Sequence, residues 1–235
     1  MQEFLRGASS IVGYIIPAAI IMLVARKLIK FPDELFRKIL HFIFLSVYLP
    51  FLFLFDRWWV SGFLIVALMI LLYPLLTLVG RSPAFSRFVN ERKAGEFRSS
   101  MMLALGAMLI TIIVCWGIVG DRYLVLASVY AWGVGDGFGA LIGKPFGKHK
   151  ITLKCADNRK SVEGSAAMFI TSAIAVFAVM TARGGMGTAG CIIVAAAASA
   201  VATFVEMCTK NGNDTITCPV AAMAVVLPLT YLLGG

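Results

Sequence analysis

Eight stretches of the chain, at 10–25, 39–55, 58–79, 100–119, 123–142, 162–182, 186–207 and 217–233, are almost continuously apolar. A helix rises about 1.5 Å per residue, so runs of this length approach or match the ~30 Å of hydrocarbon in a bilayer. Backbone in hydrocarbon must satisfy its own N–H and C=O groups, which leaves helices or closed barrels. The runs lack the period-two alternation of barrel strands. The expected fold is therefore all-α, a polytopic transmembrane helical bundle of about eight spans. Composition agrees: 14% of residues are charged and mean hydropathy is +0.91, whereas a soluble domain carries about 25% charged residues. A secreted globular domain, a coiled coil and a disordered chain are excluded. Prolines 17, 50, 74 and 228 fall inside the runs, where neighbouring helices re-satisfy the freed carbonyls. The chain reads as one integral membrane domain over 1–235, with N-terminal helices in 1–99 and the motif-bearing core in 100–235.

Charge gives the orientation. Seventeen of the 21 Lys and Arg residues fall in the loops after spans 1, 3, 5 and 7, and only Arg6, Arg57, Arg122 and Arg183 fall on the other side. By the positive-inside rule those four loops are cytoplasmic and both termini are not. The net charge of +9 then follows from topology and anionic headgroups, with no nucleic acid as partner. No basic region precedes the first span, so a cleaved signal is not expected. The five cysteines, 115, 155, 191, 208 and 218, show no CxxC spacing; they read as small apolar residues rather than a disulfide framework or zinc site.

Ionisable groups near membrane depth are costly and mark function. Four acids stand out at the cytoplasmic ends of consecutive spans: Asp136, Glu163, Glu206 and Asp214. Each of three has a structural reading as well. Glu163 follows Ser161, a plausible N-cap, and suits the start of a helix dipole. Glu206 stands four before Lys210, the favoured order for a surface ion pair. Asp214 lies in the turn-like Asn211-Gly212-Asn213-Asp214 link. Asp136 has no basic residue within a helical turn. Four acids at one level repel unless a proton or cation is shared among them. Mg²⁺, which takes carboxylates together with substrate phosphates, is the expected ion.

Around Asp136, Gly135, Gly139 and Gly143 recur every four residues. One reading is close helix packing through a small-residue face; the other is bare backbone that admits a ligand. A basic stretch follows, with Lys144, Lys148, His149 and Lys150, then Asn158, Arg159, Lys160 and Ser161. Cations with free N–H donors suit a polyphosphate. No GxxxxGK[ST] sequence is present, so the site is not a P-loop.

The run GDGFGALIGKPFGKHK (135–150) with NRKSVEGS (158–165) resembles the membrane kinases of long-chain lipid alcohols, a group that includes dolichol kinase, phytol kinase and the CTP-dependent diacylglycerol kinase of fungi. NDTITCP (213–219) approximates their acidic Asp-Asn-x-Thr-x-Pro stretch, with Asn213 and Thr215 where the family more often has Asp and Asn. Arg37-Lys38-Ile39-Leu40-His41 looks like their N-terminal Arg-Lys-x-x-His. The resemblance implies transfer of the γ-phosphate of CTP (or ATP) to a lipid hydroxyl at the cytoplasmic face of a bacterial inner membrane or an organellar or ER membrane. It implies Asp136, Glu163 and Lys160 as catalytic residues, and Asp136, Glu163, Glu206 and Asp214 as Mg²⁺ ligands. It implies Gly135, Gly139, Lys144, Lys148, Lys150, Asn158, Arg159 and Ser161 at the nucleotide, with Arg37, Lys38 and His41 as accessory residues. A lipid alcohol (phytol, polyprenol, dolichol or diacylglycerol) and a nucleoside triphosphate are the partners, and a homo-oligomer is compatible.

Two other functions fit the same residues. Phosphatidate cytidylyltransferases carry Lys-Thr-Trp-Glu-Gly where this chain has Lys160-Ser161-Val162-Glu163-Gly164. The serine and the Thr217-x-Pro219 ending resemble the kinases more closely. A cation-coupled transporter would place an ion at Asp136 among glycine-broken helices, but the acids and cations crowd one membrane face.

Overall fold

The computed structural model describes residues 2–28, 32–89, 91, 93–152, 160–209 and 212–234. Among them the protein is helical throughout, and the only strand-like feature is one antiparallel bridge, Lys150 to Ser161. Seven segments are long and apolar enough to cross a membrane: Asp33–Phe53, Trp58–Val79, Glu96–Ile118, Arg122–Phe146, Val162–Arg183, Thr188–Cys208 and Asp214–Leu232. The protein is a multi-pass membrane protein. The predicted first span lies within a further helix, α1 (Gln2–Leu28). The chain divides into two compact units, Met1–Leu105 and Gly106–Gly235.

The first unit holds α1, α2 (Asp33–Ser46), α3 (Tyr48–Phe53), α4 (Trp58–Val79), α5 (Pro83–Val89) and the start of α6 (Glu96–Thr111). The predicted span at 39–55 is shifted and broken. It starts at Asp33, where Asp33 and Glu34 occupy the first turn of α2, favoured there by the helix dipole. It breaks at Val47 because Pro50 has no N–H to offer the Ser46 carbonyl. The unit's core is aromatic: Phe36, Tyr48, Phe51 and Phe55 are all buried. The Phe55 ring fills the space that a side chain at Gly7 would need. Polar groups in this core find partners, as buried groups must. Ser61 donates to the Phe51 carbonyl (2.9 Å) and Tyr48 to the Ala104 carbonyl (3.3 Å). Arg26 pairs with Asp33 (2.7 Å) and lies over the Phe36 ring (4.4 Å).

The second unit opens with the continuation of α6, a π-helical turn at Ile112–Ile118, followed by α7 (Arg122–Phe146), α8 (Val162–Arg183), α9 (Thr188–Cys208) and α10 (Asp214–Leu232). α7 packs most heavily on α8, and both also meet α9; α10 packs on α7 and α9. One end of the α7–α8 pair is fixed by ions. Asp121 caps α7 through the Tyr123 amide (2.8 Å) and accepts from Arg183, the last residue of α8 (2.5 Å). Arg122 beside it stacks over Trp116 at 4.3 Å. The other end carries the residues of interest.

Candidate functional site

Glycines bring α7 and α8 together. A Cβ at Gly135 would lie 2.9 Å from the Met168 carbonyl, one at Gly139 3.1 Å from the Gly164 carbonyl, and one at Gly143 2.9 Å from the Gly164 Cα. These are backbone atoms, so side chains at those positions would push the helices apart. The packing reading therefore accounts for the four-residue glycine repeat. Gly135 and Gly139 present their bare faces to α8. The close approach also lets Ser172 of α8 donate to the Ala131 carbonyl of α7 at 2.6 Å.

α8 begins with a side-chain cap. The Ser161 hydroxyl accepts from the Gly164 amide (3.2 Å) and faces the Gly143 carbonyl (3.5 Å). Ser161 is buried and its hydroxyl is engaged by the helix start. The chain ahead of it pairs back on the end of α7: Ile151 donates to the Lys160 carbonyl (3.1 Å) and Val162 to the His149 carbonyl (2.9 Å). Glu163 locks this return. Its carboxylate accepts from the His149 amide (3.2 Å) and meets His149 Nδ1 at 2.7 Å. The expected catalytic and metal-binding Glu163 is thus a carboxylate engaged by the loop it follows.

Glu163 lies further along α7 than Asp136. Its neighbour Gly164 packs between Gly139 and Gly143, which are three and seven residues, or about 4 to 10 Å, along α7 from Asp136. α7 runs on to Phe146, so Asp136 lies ten residues, about 15 Å, from the end of its helix. Asp214, read from sequence as part of a link, opens α10. It is half-buried, accepts from Trp132 Nε1 (3.4 Å) and lies within electrostatic reach of Asp136 and Lys160. Lys160 in turn forms an ion pair with Glu206, which is buried at the end of α9. Lys210, the partner expected for Glu206, lies outside the described residues. Asp214 thus stands between Asp136 and the Lys160–Glu206 pair, while Glu163 is engaged by His149. Among the described residues no three His, Cys, Asp or Glu side chains stand close enough to share a metal ion, so the four acids do not form one metal centre.

Lys144, Lys148, His149 and Lys150 are exposed beyond this cluster, at the end of α7 and the start of the loop. Asn158 and Arg159 lie outside the described residues, as does Cys155. Arg37, Lys38 and His41 sit on α2 in the first unit; Arg37 pairs with Glu34 (2.6 Å) and Lys38 is buried. Cys115, Cys191 and Cys218 are buried free thiols, as small apolar residues would be. Cys208 is the last residue of α9. Trp132 is the residue that the sequence reading passed over. It precedes Asp136 by four, so both lie on one face of α7, and that spacing was the available signal. Compared with family models, characterised proteins and solved structures, the chain matches none.

Proposed function

We propose that the protein is a Mg²⁺-dependent kinase that moves the γ-phosphoryl group of a nucleoside triphosphate, CTP in the first instance, to the hydroxyl of a long-chain lipid alcohol. The observation that carries the reading is the grouping of Asp136, Asp214 and the Lys160–Glu206 pair from three helices and the loop before a fourth, with exposed lysines further along α7 and in the loop that follows it. Two carboxylates suit Mg²⁺, which usually takes one or two from the protein and the rest of its ligands from phosphates and water. Asp136 and Asp214 would hold it. The bound ion would draw charge from the β- and γ-phosphates. Lys144, Lys148 and Lys150 would balance the remaining phosphate charge, with Arg159 a further candidate from the sequence.

Phosphoryl transfer asks a protein mainly for positioning and charge. The lipid oxygen forms a bond to the γ-phosphorus as the bond to the β–γ bridging oxygen breaks. The hydroxyl proton passes to a carboxylate, and nucleoside diphosphate leaves. Asp136 serves either as the metal ligand or as the base that orients the hydroxyl. Its place inside a span lets a lipid alcohol meet a nucleotide without leaving the bilayer. We place eight spans, both termini outside and the lysine-bearing end in the cytoplasm, on the seventeen-to-four charge count.

The test is product analysis. Purified protein in lipid nanodiscs, with Mg²⁺ and CTP or ATP, is offered phytol, farnesol, polyprenol and diacylglycerol. The reading requires a lipid monophosphate together with nucleoside diphosphate. Pyrophosphate release from phosphatidate would instead identify a cytidylyltransferase.

A further inference from the structure

A second cationic feature lies in the first unit, apart from any residue used above. A cavity of about 260 Å³ is lined by Leu76, Thr77, Gly80 and Arg81 from the end of α4, and by Ala94, Gly95 and Arg98 from the start of α6. Arg98 is held before any ligand arrives. Its guanidinium donates to Thr77 Oγ1 (2.8 Å) and stacks over the Tyr73 ring at 5.2 Å. Arg81, on the opposite wall, is exposed. Among the described residues no carboxylate is paired with either guanidinium. Two acids stand near the lining in sequence: Glu96 opens α6 beside Gly95, and Glu91 is engaged by the Ser86 hydroxyl and the Phe97 amide, both at 3.0 Å.

We infer that this cavity binds a phosphate group, that of an anionic phospholipid headgroup. A fixed guanidinium fork is the side chain best matched to a phosphate, and two uncompensated ones facing a cavity leave a charge for a ligand to neutralise. The cavity lies at the end of α4, one of the segments long and apolar enough to cross a membrane. α4 is the least buried of the seven spans, and Tyr73, Leu75 and Leu78 beside the cavity are exposed apolar surface for acyl chains.

The experiment is native mass spectrometry of the full chain from micelles with equal phosphatidylglycerol and phosphatidylcholine. Wild type retains phosphatidylglycerol in preference, by about tenfold or more, the worth of one charge-assisted hydrogen bond. Arg98→Gln brings the preference to near parity. Arg81→Gln, whose side chain holds no other element in place, lowers it in a protein that folds normally. Arg87→Gln on α5, an equal loss of charge outside the cavity, keeps it. Equal loss in Arg87→Gln, or survival of the preference in Arg98→Gln and Arg81→Gln, overturns the site. Stripping of the lipid by millimolar inorganic phosphate would assign the same chemistry to a free anion and overturn the lipid source.

Discussion

At the scale of single residues, Asp136 and Asp214 lie within electrostatic reach of one another, and two carboxylates so placed repel unless a proton or a cation is shared between them. Asp136→Asn is nearly isosteric and relieves that repulsion. Its melting temperature in detergent without Mg²⁺ should match or exceed that of wild type. Turnover in the product assay should fall about 10²-fold or more, the size of a general-base contribution. A parallel loss of both would instead mark a structural aspartate. Lys160 is the second residue to test. Glu206 is only 8% exposed, and Lys160→Met leaves its charge uncompensated. Breaking a buried pair from one side costs about 3–5 kcal/mol. Unfolding in detergent should show a loss near the lower end of that range, because the lysine side chain is 27% exposed. Lys160→Met with Glu206→Leu should recover most of it, and a neutral single variant would contradict the pairing. The identities of Asp136, Asp214, Glu206 and Lys160 were legible in the sequence because each is an ionisable group in or beside an apolar run. Their pairings were not. Lys160 and Glu206 are 46 residues apart, and Lys210, four residues on, offered the nearer partner.

At the scale of elements, the apolar runs located the helices to within a few residues in most cases, since hydrocarbon leaves the backbone little else to form. What the runs could not show was helix irregularity. The break at Val47 and the π-helical turn at Ile112–Ile118 fall inside uniformly apolar sequence, where hydropathy carries no signal. The glycine repeat was legible as two competing uses, and packing decided between them. Gly143→Ala would put a methyl group 2.9 Å from the Gly164 Cα, where only backbone can yield. Overpacking of this kind costs about 1–3 kcal/mol, and the melting temperature should fall accordingly. Gly106→Ala is the matched control. Its Cβ meets nothing within 4 Å, and replacing glycine inside a helix gains about 0.5–1 kcal/mol, so that variant should melt at or above wild type. The reverse order would mean that α7 and α8 do not meet through these glycines.

At the scale of the whole molecule, the proposed reaction requires a soluble nucleotide and a lipid alcohol to meet at one end of the membrane-embedded α7–α10 bundle. Charge asymmetry along the sequence indicated which end carries the cations, because loop lysines and arginines are countable without a structure. The separation of Glu163 from Asp136 was not countable in that way; it depends on how far α7 extends past the start of α10. The most direct measurement uses sealed vesicles in which the protein is inserted in one known direction and loaded with the lipid alcohol that serves in the product assay. Nucleotide carrying a γ-phosphate label is added with Mg²⁺ to one face at a time. The account predicts labelled lipid monophosphate only when nucleotide reaches the face that bears Lys148 and Lys150, and none when the label is on the α-phosphate. Labelled lipid formed from the opposite face, or from the α-label, would contradict it.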